Sequence, residues 1–368
     1  MDTRADGVTV DGLSAGVGAV AADSVTELVV AGRAGVLADA AAAALNVTVT
    51  EAVGNGYATV FPCGSQRPTA SNLNYADGQT VPNAVIARLG VDGRVCVYSQ
   101  RAVHLVVDVN GYFPATSRYR PLVPARLLDT RDSHSTVDGL FAALGALAAD
   151  HVIELDVAGR GGIGADADAV TLNVTAVNSS QPGYATVYPC GSDRPTASNL
   201  NFSTTRTVPN AVIAKVGVGG RVCIFVSSST DLVVDVNGDF PVGTALHALV
   251  PARVLDTRPG EITIDGQAVG AGPLSRLTNL VLPVVGRGGV STGARSVVLN
   301  VTVTEPADAG FLTVFACDAA RPTASSLNFV PSQTVANLVL AEVAGDGTLC
   351  FFSNSAIHLV VDVVGFYP

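Results

Sequence analysis

The sequence predicts an all-β protein of three tandem antiparallel β-sandwich domains, jelly-roll or immunoglobulin-like in type. Three observations predict this: a 127-residue repeat, a strand-like alternation inside each copy, and one recurrent cysteine pair per copy.

The repeat is read from landmarks that overlay without a gap. Cys63, Cys190 and Cys317 are spaced by 127 positions, as are Cys96, Cys223 and Cys350. The same offset relates Asp2-Thr3-Arg4, Asp129-Thr130-Arg131 and Asp256-Thr257-Arg258. It also relates Leu45-Asn46-Val47-Thr48 to its copies at 172–175 and 299–302. Arg67-Pro68-Thr69-Ala70-Ser71-Asn72-Leu73-Asn74 recurs unchanged at 194–201, and at 321–328 with Ser326 in place of Asn. Each copy closes on Leu-Val-Val-Asp-Val, at 105–109, 232–236 and 359–363. So long a period is domain-sized, far above the roughly 20–50 residues of a solenoid unit. The expected domains are 1–114, 115–241 and 242–368.

The first copy is expected to lack a strand. Leu122-Val-Pro-Ala-Arg-Leu-Leu128 and Leu249-Val-Pro-Ala-Arg-Val-Leu255 precede the second and third Asp-Thr-Arg, whereas only Met1 precedes the first. Either the end is trimmed, or this strand belongs to a preceding domain or a neighbouring molecule. An unpaired sheet edge accepts other chains, so head-to-tail association into a filament is one expectation.

Inside a copy the period is two. In Val170–Ala176, Val170, Leu172, Val174 and Ala176 point one way, while Thr171, Asn173 and Thr175 point the other. Further strands are predicted at Val152–Val157, Tyr184–Tyr188, Thr196–Asn201, Ala211–Val216, Arg221–Val226 and Leu232–Val236. Turn formers such as Gly161-Gly162, Gly219-Gly220 and Asn237-Gly238 separate them. Ala38–Ala44 reads as a loop entering a strand, because its counterpart at 164–169 is a poor helix. Linkers of about seven residues, Pro114 to Pro121 and Pro241 to Leu249, predict packed, semi-rigid neighbours.

Composition narrows the function classes. Of 368 residues, 48% are apolar and 14% charged, which rules out a mostly disordered chain. A net charge of −10 opposes nucleic acid and anionic lipid as partners. No apolar run is long enough for a transmembrane helix, so no membrane insertion is expected. The N-terminus has no signal-like region, so an export signal would lie outside this chain.

The cysteines point to an oxidising compartment. One disulfide per copy is the simplest reading, namely Cys63–Cys96, Cys190–Cys223 and Cys317–Cys350, each partner 33 positions from the other. The alternative is buried free thiols; metal ligation is disfavoured, since there is no Cys-x-x-Cys pair or nearby His set.

Candidate chemistry is sparse. Gly12-Leu-Ser14-Ala-Gly16 matches a nucleophile elbow, but the elbow needs a strand turning into a helix in an α/β sheet. Gly159-Arg-Gly161-Gly-Ile-Gly164 matches a dinucleotide fingerprint but precedes a strand, so it reads as a turn. The histidines His104, His134, His151, His247 and His358 have no ligand spacing and read as exposed strand or loop positions. Asp108, Asp235 and Asp362 recur inside apolar runs. They read as structural acids, hydrogen-bonded to a turn or paired with Arg4, Arg131 or Arg258, rather than as Ca²⁺ ligands. The sequons at Asn46, Asn173 and Asn300 fall mid-strand and need no glycan to explain them. A single lysine, Lys215, excludes a Lys–Asn isopeptide bond in every copy. No catalytic residue, cofactor or metal is expected.

Units reading Arg-Leu-Leu-Asp-Thr-Arg, Leu-Asn-Val-Thr, Arg-Pro-Thr-Ala-Ser-Asn-Leu-Asn and Val-Asp-Val-Asn-Gly-Tyr-Phe resemble tandem repeats of secreted actinobacterial surface proteins. The resemblance covers nearly the whole chain. It implies export and modularity and supplies no site residues. The resulting expectation is a non-enzymatic extracellular structural or adhesive module, with other copies of itself or cell-surface components as partners. The rival is a carbohydrate-binding module, with Tyr57, Tyr184 and Phe311 as the aromatics that would stack on polysaccharide. A weaker third reading, binding to ice or a crystal surface, would use the row at Asn46, Thr48 and Thr50 and its copies.

Overall fold

A computed structural model of the protein describes residues 1–204 and 206–368. The first repeat forms β1 (Ser24–Val29), β2 (Ala40–Thr50), β3 (Gly56–Pro62), β4 (Leu73–Tyr75), β5 (Val81–Arg88), β6 (Arg94–Ser99) and β7 (His104–Pro114). The second forms β8 (Arg120–Asp129), β9 (His151–Asp156), β10 (Ala167–Val177), β11 (Gly183–Pro189), β12 (Leu200–Phe202), β13 (Val208–Lys215), β14 (Arg221–Val226) and β15 (Asp231–Pro241). The third forms β16 (His247–Asp256), β17 (Thr278–Pro283), β18 (Ser296–Thr304), β19 (Gly310–Ala316), β20 (Leu327–Phe329), β21 (Val335–Glu342), β22 (Thr348–Ser353) and β23 (His358–Tyr367). Among the described residues no helix is long and apolar enough to cross a membrane.

Each repeat supplies two antiparallel sheets. In the second they are β9-β14-β11-β12 and β13-β10-β15-β8; the third matches strand for strand. The first has β1-β6-β3-β4 and a sheet of three strands, β5-β2-β7; in the place of β8 or β16 Met1 alone pairs with β7, its amino group donating to Val107 O at 2.9 Å and its carbonyl accepting from Val107 N–H at 2.8 Å. One core lies between the two sheets of a repeat, as with Leu45, Val47 and Val49 in the first and Leu172, Val174 and Ala176 in the second.

The expectation of three tandem sandwich domains is overturned. Six small sheets are disposed about one axis in the manner of a six-bladed propeller, and β5, β13 and β21 each touch the other two at its centre. A fourth core, shared by all three repeats, fills this centre. It includes Ala42, Ala44 and Ile86 from the first, Ala169, Ala211, Ile213 and Phe240 from the second, and Val298, Leu338 and Val364 from the third. The alternation in β2, β10 and β18 is real, but its polar side does not face water. Asn46, Asn173 and Asn300 are each only 1% exposed, covered by the neighbouring repeat.

The Ala-rich run enters its strand at Ala40, and Ala42 and Ala44 pack into the shared core. The strand expected over Thr196–Asn201 is shorter, and 196–199 are irregular. The linkers are packed: Tyr119 stands between Phe113 and Phe240 with centroids 4.5 and 4.6 Å away, and Leu246 joins the same core.

Candidate functional site

The three expected disulfides form, with Cα–Cα distances of 5.0, 5.0 and 4.9 Å. Each ties the end of β3, β11 or β19 to the adjacent strand β6, β14 or β22. Beside them Arg67, Arg194 and Arg321 lie 3.8, 3.7 and 3.6 Å from the ring centres of Tyr98, Phe225 and Phe352. Tyr57, Tyr184 and Phe311 lean at a tilt against the same three rings.

Asp2, Asp129 and Asp256 are buried and accept two bonds each from the arginine two residues on. Arg4 Nε and Nη2 donate to Asp2 at 2.9 and 2.6 Å, Arg131 to Asp129 at 2.8 and 2.6 Å, and Arg258 to Asp256 at 3.0 and 2.7 Å. The Arg4 guanidinium holds the Asp2 carboxyl below the usual carboxylate range. The intervening threonine hydroxyls accept from the backbone N–H of Leu105, Leu232 and Leu359 at 2.9, 3.0 and 2.9 Å. Thr3 and Thr257 also meet His104 and His358 at 3.0 Å, and Thr130 donates to Asp231 at 2.7 Å. Half-buried His104 and His358 are therefore structural partners, not the exposed positions expected.

Asp235 and Asp362 do not pair with Arg131 or Arg258, as the sequence reading allowed. Their partners are arginines of the strand that precedes Asp-Thr-Arg. Arg126 Nε donates to Asp235 at 2.9 Å and Arg253 Nε to Asp362 at 2.9 Å, all four side chains being buried or nearly so. The same arginines donate to Asp129 at 2.9 Å and Asp256 at 3.2 Å. Each ion pair thus locks β8 onto β15, or β16 onto β23. The neighbouring repeat completes the lock: Thr69 O accepts from Arg126 at 3.3 Å, and Ser198 N–H donates to Asp362 at 3.2 Å.

Asp108 has no such partner, and Arg4 is bound to Asp2 instead. No hydrogen bond or ion pair reaches its carboxylate, and burial pushes it up to about 6. It lines a groove of 830 Å³ along the free edge of β7, bounded opposite by Thr323–Ser325 of the third repeat. Among the described residues, no three His, Cys, Asp or Glu side chains come together as a metal site. Ser14 sits in a surface loop where its main-chain oxygen accepts from Asp2 N–H at 3.0 Å, with no helix behind it.

No protein-family model matches the chain, and no curated protein matches it. Among solved structures it is similar to a chain described under the triple jelly roll fold and turret assembly in an archaeal virus. That likeness has 8% identity, covers 92% of this chain and 82% of that one, and has a TM-score of 0.22. A chain of Sulfolobus turreted icosahedral virus is similar at 10% identity over 95% and 86%, TM-score 0.20. A cycloalternan-forming enzyme from Listeria monocytogenes is similar at 10% identity over 88% and 30%, TM-score 0.19. Scores so low carry no argument about fold or function.

Two sets of residues escaped the sequence reading. Arg33, Arg160 and Arg287 clamp Asp11, Asp138 and Asp265, with Nε–Oδ distances of 2.8, 2.7 and 2.7 Å, and Arg160 lowers the Asp138 carboxyl to about 2. Asn83, Asn210 and Asn337 donate across the junctions to Asn173, Asn300 and Asn46, each at 2.9 Å. Both sets recur at the 127-residue offset, which was the available signal.

Proposed function

We propose that the protein is a non-enzymatic extracellular structural or adhesive module, of the kind found in tandem in secreted actinobacterial proteins. The observation that supports this best is how its recurrent polar residues are used. The asparagines, the Asp-Thr-Arg corners and the Arg–Asp pairs bind one another or backbone within and between repeats, which serves rigidity. Three disulfides fit an extracellular or otherwise oxidising environment. The aromatics that a sugar platform would need are partly occupied, since each leans on a ring already covered by arginine.

The test pairs a panel of ester, peptide and glycoside substrates with a glycan array and immobilised bacterial cell envelopes. Retention on envelopes without turnover is expected. A reproducible hydrolase activity lost in Ser14→Ala would overturn the reading. Glycan binding lost on substituting Tyr57, Tyr184 or Phe311 would replace it with the carbohydrate-binding one.

A further inference from the structure

The second and third repeats show how the groove on the first is filled when a strand is present. There the edge strand is fixed at three kinds of place. Its arginine sits on Asp235 or Asp362. The carbonyl of that arginine accepts from Val137 or Ile264 N–H at 2.9 or 2.8 Å. The next carbonyl, of Leu127 or Val254, accepts from Arg160 or Arg287 at 3.1 or 2.7 Å. In the first repeat the counterparts Asp108, Val10 and Arg33 all line the groove, with Thr323 where Thr69 stands for Arg126. Val10 is 84% exposed, and among the described residues its N–H has no partner.

We infer that this groove is an acceptor for one extended peptide strand from outside residues 1–368, added antiparallel to β7 with its arginine on Asp108. Backbone pairing at a sheet edge would supply the register, and the half-buried carboxylate the selectivity. Neither β8 nor β16 is that strand, because both are already paired in their own sheets. An edge position also explains the prolines of these strands, which need no N–H partner on the solvent side.

Two residues refine the occupant. A Cβ at Gly161 would come within 2.8 Å of Leu127, and one at Gly288 within 3.1 Å of Val254. The first repeat carries Ala34 at that place, so the residue after the arginine should be valine rather than leucine. At the strand's start the pairs are Arg120 with Asp239 and His247 stacked on Phe366 at 4.8 Å. The counterpart here is Tyr112, which suits histidine. The third repeat's own sequence, His247–Val254, meets both requirements, and the place of Leu255 is held here by Met1.

The test is fluorescence anisotropy of a labelled peptide with the sequence of residues 247–254, which ends where Met1 begins, titrated with the full chain. Saturable binding at one site is expected, at least tenfold weaker for the peptide with Arg253→Ala and for the protein with Asp108→Asn. The peptide with Val254→Leu should bind more weakly to the natural protein and recover on the Ala34→Gly protein. A cooperative melting transition no lower than that of the natural protein, in Asp108→Asn and Ala34→Gly, establishes that both fold. Absence of saturable binding, or equal affinity for the variants, would overturn the inference. So would a concentration-dependent dimer of the protein alone that Asp108→Asn abolishes, since the donor would then be a second copy. The inference goes beyond the scaffold reading: failure of the peptide leaves that reading standing, and a genuine hydrolase activity leaves the groove untouched.

Discussion

Asn337 Nδ2 donates to Asn46 Oδ1 at 2.9 Å, joining residues 291 positions apart. Asn83 with Asn173 and Asn210 with Asn300 repeat the contact at the other two junctions. The acceptor asparagines also donate, to the main-chain oxygens of Ser325, Ser71 and Ser198 at 2.8, 2.8 and 2.5 Å. Only the first of these junctions joins the two ends of the chain; the other two join consecutive repeats. Its presence is what makes the arrangement a ring.

Asn46→Ala removes both halves of that closing contact and leaves Ser325 O without its donor. A loss of about 2 kcal/mol is expected. Asn46→Asp should cost more at neutral pH, because it buries a charge beside an oxygen. Urea denaturation of the two variants against the natural chain reads the difference.

The shared centre predicts a single unfolding event. Phe113, Tyr119 and Phe240 pack together across the first junction, and Ala84, Ala211 and Leu338 meet at the axis. No repeat can therefore open without exposing apolar surface of the others. Scanning calorimetry should show one transition whose calorimetric and van't Hoff enthalpies agree. Three resolved transitions would mean the repeats melt as separate beads.

Reduction should weaken each repeat by roughly 3–4 kcal/mol, from the chain freedom a loop of this size regains when unfolded. Melting temperature with and without reductant measures this. Peptide mapping without reductant should recover only Cys63–Cys96, Cys190–Cys223 and Cys317–Cys350.

Asp108 predicts a specific pH signature. Its carboxyl is raised to about 6 from an ordinary value near 3.8, chiefly by burial. Between those values the folded chain holds a proton that the unfolded chain has lost, so this residue's effect turns destabilising as pH rises. The charges facing it are the Met1 amino group, Asp2 and Arg4, with Asp11 and Arg33 across the groove. Asp108→Asn should match the natural protein below about pH 4 and exceed it by about 1–2 kcal/mol at pH 7, allowing for solvent in the groove. Denaturant midpoints at pH 4 and pH 7 for both proteins give the comparison.

The repeat arithmetic made most of the strands and the cysteine pairs legible, because each is a local pattern stamped three times. What it left hidden was the second face of β2, β10 and β18. Alternation states that Asn46 and Leu45 point opposite ways, and it is silent on what covers Asn46. The cover is a loop of the third repeat, and nothing near Asn46 in sequence specifies it. The Arg–Asp lock was misassigned for a related reason. Arg131 lies nearest Asp129 in sequence and is satisfied there, which leaves Asp235 to Arg126 through strand pairing alone. Arg160 and Asp138 recur as faithfully as the cysteines, but a 22-residue separation through loops carries no periodic sign of contact.

The junctions described above are heterologous: each repeat offers one asparagine outward and receives its neighbour's on a different strand, and three such steps close the circle. An interface of that geometry has threefold point symmetry built into it. A single repeat expressed alone, such as residues 115–241, would carry both complementary surfaces on one short chain. It should therefore exist as a homotrimer, and the present molecule is the covalent equivalent of one, with subunit concentration replaced by two five-residue tethers at 115–119 and 242–246.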